Sequence, residues 1–92
     1  MQGIFYPENQ TVSVSVQDAP VSISVGSGDG VMMAARIWNS CDGVLKIGLN
    51  GAPHMPIPSG HTEIIPVPPN VSSISFSSDE AGVIYMTLGR LI

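Results

Sequence analysis

The sequence is short of charge, cysteine and aromatic rings. Charged residues make up 11% of the 92, against about a quarter in ordinary soluble domains. Three are basic, Arg36, Lys46 and Arg90, so there is no patch to neutralise a phosphate backbone, and nucleic acid is not expected as a partner. A net charge of −4 disfavours anionic membrane surfaces. No apolar run approaches the ~18 residues of a spanning helix, so no membrane partner is expected. The single cysteine, Cys41, excludes an internal disulfide. The first residues, "MQGIFYPENQ", carry neither a basic start nor an apolar run of signal length, which leads us to expect cytoplasmic synthesis without processing. Asn9-Gln10-Thr11 and Asn70-Val71-Ser72 match the glycosylation pattern and, without secretion, are read as chance.

What the sequence does have is a period of two. "TVSVSV" sets Val12, Val14 and Val16 on one face and Ser13 and Ser15 on the other. "PVSISV" repeats this with Val21, Ile23 and Val25. Such alternation predicts half-buried strands, with the β-branched residues carrying the preference. "GSGDG" (26–30) reads as a turn. "VMMAARIWN" (31–39) is apolar on both faces apart from Arg36, as in a central strand covered on both sides. Ser40-Cys41-Asp42-Gly43 reads as a hairpin loop whose Asp-Gly supplies positive φ. "VLKIGLN" (44–50) turns Leu45, Ile47 and Leu49 inward and Lys46 outward. Pro66, Pro68 and Pro69 confine the strand "HTEIIPV" (61–67) to an edge or an end, "VSSISFS" buries Ile74 and Phe76, and "GVIYMTLGRLI" closes the chain. About seven short strands, with no helical periodicity, predict an all-β domain: a single antiparallel β-sandwich, jelly-roll or immunoglobulin-like, or a small barrel. Residues 11–92 form the sandwich. Residues 1–10 are expected as an extended arm whose Ile4, Phe5 and Tyr6 dock on a neighbour.

The parts of a catalytic site do not assemble. His61-Thr62-Glu63 has the H-x-E form of zinc deaminases but lacks the downstream P-C-x-x-C. His54, His61, Asp42 and Glu63 show no metal-ligand spacing. Cys41 with a histidine is the minimum nucleophilic pair, but Cys41 sits in a turn with no glycine-rich oxyanion loop and no helix N-terminus to activate it. "GSGDG" leads into a strand, whereas a phosphate loop must lead into a helix. Neither an enzyme nor a cofactor is expected. In "NGAPHMPIPSGH" (50–61), Pro53, Pro56 and Pro58 fix φ. Met55 and Ile57 between them are apolar, flanked by His54 and His61. We read this loop as a docking surface, on which alanine at Met55 and Ile57 weakens assembly and leaves the fold intact. Trp38, at the end of a central strand, could belong to the core or to a sugar-binding rim.

From residue 34 on, "AARIWNSCDGVLKIGLNG", "PIPSGHTEIIPV" and "NVSSISFSSDEAGVIYMTLG" follow in order. This resembles small structural proteins of tailed bacteriophage virions, including capsid decoration (cement) proteins built on β-sandwiches. The resemblance implies a homo-oligomer, a trimer, that binds the major capsid protein on the virion's capsid surface and stabilises the shell. The alternative is a glycan- or receptor-binding module of a phage tail or fibre. Small size and low charge fit the first role, since a domain this small is marginal alone and gains from burial against partners.

Overall fold

The computed structural model describes residues 5–7, 10–25 and 33–91. Nine strands follow in chain order: β1 (Phe5–Pro7), β2 (Val12–Val16), β3 (Val21–Ser24), β4 (Met33–Asn39), β5 (Leu45–Leu49), β6 (Met55–Ile57), β7 (Thr62–Val67), β8 (Ser73–Ser78) and β9 (Gly82–Leu91). They form two antiparallel sheets packed as a small sandwich. The front sheet runs β2-β9-β4-β7, with β1 on the same side of β9 as β2. The back sheet runs β3-β8-β5-β6. The eight strands β2 to β9, in the sheet orders β2-β9-β4-β7 and β3-β8-β5-β6, form a jelly roll.

The alternation expected from sequence sets the inner faces. From the front sheet come Val14, Val16, Ala35, Ile37, Val67, Ile84 and Met86; from the back sheet come Leu45, Ile47, Ile57, Ile74 and Phe76. All are buried in one core. Among the described residues β7 pairs only with β4, so Pro66 lies on an edge, where a missing N–H is tolerated.

The structure corrects several expectations. Strand β4 is central, but its outer face is covered only in part: Ala34 is buried there, while Arg36 and Trp38 are exposed. Residues 40–43 are no hairpin. They carry the chain from the front sheet to the back sheet, and positive φ occurs at Asn50 and Gly60, not at Gly43. Two strands were not expected, β1 and β6. Within residues 1–10, the three residues Phe5–Pro7 lie along β9 opposite Gly89–Leu91. Ile4 and the "GSGDG" turn lie outside the described residues.

Two asparagines join the connections at opposite ends of the sandwich. Fully buried Asn39 donates from Nδ2 to the carbonyls of Gly43 and Ile57, both at 2.9 Å, and accepts from the Cys41 amide at 3.0 Å. Its backbone exchanges bonds with His61 and Gly60. At the other end Asn50, at φ 55°, accepts from the amides of Ser72 and Ser73 and donates to the Asn70 carbonyl. Gly48 lies under this second end, where a Cβ would collide with the backbone of Gly51 and Ala52.

Candidate functional site

The two outer faces of the sandwich differ in chemistry. On the back sheet the outward positions are Ser22, Ser24, Lys46, Pro56, Ser75 and Ser77. The 50–52 turn folds over part of this face, with the Ser75 hydroxyl donating to the Gly51 carbonyl at 2.5 Å. On the front sheet the outward positions include Trp38, Ile64, Val83 and Tyr85, which are 43%, 44%, 37% and 37% exposed. Register makes them one stripe. Trp38 lies opposite Tyr85 on β9 and opposite Thr62 on β7. Ile64 faces Arg36, the next outward residue of β4. The Trp38 and Tyr85 rings stack, with centroids 5.3 Å apart and planes at 23°. Four large apolar side chains side by side in a chain with few charges form the surface feature that calls for an explanation.

The stripe continues into a pocket of about 320 Å³ lined by Phe5, Pro7, Thr11, Arg36 and Thr87. Its origin is in the topology. Strand β9 pairs with β2 through residues 82–86 and with β1 through residues 89–91. Between them, opposite Thr87, the sheet has no paired neighbour on that side among the described residues. The Thr11 and Thr87 hydroxyls close this gap with a hydrogen bond of 2.6 Å. Arg36 stands beside Thr87 across the β4–β9 ladder.

The residues singled out from sequence are scattered. Phe5 is half-buried and walls the pocket. Tyr6 lies opposite Arg90 in the β1–β9 ladder. The 54–61 segment is not a free loop, because Met55–Ile57 pairs with Leu45–Ile47 as β6. Ile57 is 1% exposed and belongs to the core, so it cannot dock on a partner, and its truncation cannot leave the fold intact. Met55 is half-buried against the same core. His54 and His61 are exposed at opposite ends of β6, and His54 Nδ1 lies 3.1 Å from the Ala52 carbonyl. No group of three or more His, Cys, Asp and Glu placed to hold a metal occurs among the described residues.

Cys41 is 3% exposed, and its Sγ points at the Val83 carbonyl at 3.6 Å. Burial first, and the Asp42 carboxylate second, push its pKa upward from the ordinary value. The side chain is therefore kept as a thiol, the opposite of an activated nucleophile. Trp38 was legible as a residue of interest, but its outward direction was not, since a strand apolar on both faces reads as covered. Arg36 interrupting that strand was the available signal for an open face.

No family model matches the chain, and no curated protein matches it. One solved structure is similar, described as "Bacillus endospore appendages form a novel family of disulfide-linked pili". It has a TM-score of 0.62 and 12% identity, over 100% of this chain and 92% of that one. At that identity the likeness is one of fold.

Proposed function

We propose that this chain is a structural subunit acting through protein–protein contacts, with the outer face of the front sheet as its contact surface. The assembly that the sequence resemblance implies is the virion of a tailed bacteriophage, where the subunit decorates the capsid as a homo-oligomer, a trimer, bound to the major capsid protein. The observation carrying the reading is the stripe of Ile64, Trp38, Tyr85 and Val83. Covering it removes four large apolar side chains from water, at about 25 cal/mol per Å². Aromatic anchors of this kind dominate contact energies. The pilus structure of the same fold supports the reading to this extent: a sandwich with this arrangement can serve as a subunit of an assembly. Its disulfide linkage has no counterpart here, because the single cysteine is buried.

The test is the solution mass by light scattering, for the native chain and for W38S/Y85S. The account expects a discrete oligomer, a trimer, that dissociates in the variant. A monomer at every concentration, with or without capsid shells, overturns it.

A second reading rests on the same rings. Trp38 and Tyr85 lie on an open face beside Ser13 and Thr62, where a sugar ring can stack. Quenching of Trp38 fluorescence by a glycan, with no change in mass, would favour a glycan-binding module.

A further inference from the structure

We propose that copies of this chain join front sheet to front sheet, the β7 edge of one copy pairing antiparallel with the β2 edge of the next. The inference rests on the assembly reading and deepens it by naming the edges that meet and their register.

One hydrogen bond sets which backbone groups are open. The Asn39 amide donates to the His61 carbonyl at 2.9 Å, one step beyond the Trp38–Thr62 pair of the β4–β7 ladder. Bonded and non-bonded pairs alternate along an antiparallel ladder, so Ile37–Glu63, Ala35–Ile65 and Met33–Val67 are the bonded pairs. Thr62, Ile64 and Pro66 turn their backbone groups the other way, toward the side where no strand borders β7 among the described residues. The same alternation, carried across β4 and β9, ties Val12, Val14 and Val16 to β9 and turns the backbone groups of Ser13 and Ser15 outward. Rows of open N–H and C=O groups such as these are templates for an added strand.

The two edges complement each other. Each of these front-sheet ladders is antiparallel, so β2 and β7 run in opposite directions. A second copy in the same orientation therefore brings its β2 antiparallel to β7. Thr62 and Ile64 belong to the outer face, as do Ser13 and Ser15, and all are exposed. With Thr62 opposite Ser15 of the next copy and Ile64 opposite its Ser13, each pair exchanges both bonds. Pro66, which has no N–H, then falls past Val12, where β2 begins. A shift by two residues sets Pro66 against Ser13, or Ser15 against Gly60 outside β7.

Self-pairing is poorer. Centred on Ile64, two copies of β7 set Pro66 against Thr62, whose carbonyl finds no donor. Centred on Glu63, they set two carboxylates directly opposite each other, which is destabilising. Two copies of β2 bond well but close the assembly at a pair and leave Ile64, 44% exposed, in water. The mixed pairing lays Ser13 beside Ile64. It also runs the apolar stripe into Val83 and Tyr85 of the next copy, which stand opposite Ser15 and Ser13. One edge on a different one is a heterologous contact. Such contacts close into rings when the rotation allows, and three copies give the trimer of the assembly reading.

The experiment is amide hydrogen exchange of the native chain, read residue by residue by NMR across a dilution series, with the mass followed by light scattering. In the oligomer the amides of Thr62, Ile64, Ser13 and Ser15 should exchange about tenfold more slowly, or slower still, than in the monomer. Those of Glu63 and Val14, bonded within one copy, should be protected in both. T62P removes an open N–H and no bond of the fold, so it should weaken self-association about tenfold. T62V keeps the N–H and should assemble as the native chain does. Near-ultraviolet circular dichroism checks the fold of both variants, and if T62P misfolds the exchange pattern of the native chain decides. An oligomer in which all four amides stay unprotected, or one undiminished in T62P, overturns the edge pairing and leaves the assembly reading standing. Protection of Thr62 and Ile64 alone, or of Ser13 and Ser15 alone, overturns the proposed partner edge. A monomer at every concentration overturns both readings.

Discussion

Trp38 and Tyr85 face each other across the β4–β9 ladder with stacked rings, both on the solvent side of the sheet. A stacked pair contributes about 0.5–1.5 kcal/mol beyond its buried area, and Trp38 and Tyr85 remain 43% and 37% exposed, so each ring buries only part of its surface in the fold. Truncation of either ring should therefore cost the isolated fold no more than about 2 kcal/mol in urea unfolding. A loss in the 3–5 kcal/mol range, roughly that of a core aromatic, would mean that the rings hold the fold rather than a partner.

Asn39 should be the most sensitive polar residue. N39A leaves the Cys41 amide and the carbonyls of Gly43 and Ile57 without their partner. Each orphaned buried group costs about 1–3 kcal/mol, so the sum is at least about 3 kcal/mol. For a small domain that approaches the whole stability. Chemical denaturation checks it, and a shift below about 1 kcal/mol would show that water replaces the side chain.

Ile57 and Met55 should now separate. I57A removes a fully buried side chain and should cost about 2–5 kcal/mol. M55A, at a half-buried edge position, should cost less than half as much. Thermal unfolding of the two variants, compared with self-association measured below the transition, tells a core residue from a docking residue.

Cys41 gives the alkaline dependence. Its folded pKa is raised above the ordinary 9.0, so on raising the pH the unfolded chain loses this proton first. The stability contribution is complete below the ordinary value and falls as pH climbs from there toward the folded pKa. Urea midpoints from pH 8 to 10 should decline more steeply for the native chain than for C41A. Equal slopes would mean that the thiol ionises alike in both states. Alkylation of the native thiol should also be slow until denaturant exposes it.

The fold was legible where one residue type repeats at one period. "TVSVSV" and "VLKIGLN" declared their inward faces because alternation maps directly onto the pleat. The 54–61 segment was misread because three prolines suggest a loop. A three-residue edge strand tolerates proline, and Ile57 reaches the core through it. The crossing at residues 40–43 was hidden for a different reason. Asp-Gly suggests a tight hairpin, while the buried Asn39 that steers the chain into the other sheet has no local signature. The pocket was beyond sequence reasoning, since it arises from the spacing of β1 and β2 along one strand. Ile4, Phe5 and Tyr6 were singled out for their apolar character; Phe5 lines the pocket, and Ile4 lies outside the described residues.

The central claim is that the Trp38 face is covered in the working protein. The chain has one tryptophan, so its emission reports that face alone. A dilution series recorded together with the solution mass is the direct test. The account predicts a long-wavelength, exposed emission for the monomer that moves to shorter wavelength in step with oligomer formation. An emission that stays at the exposed wavelength while the mass increases would contradict it, because assembly would then proceed through another face.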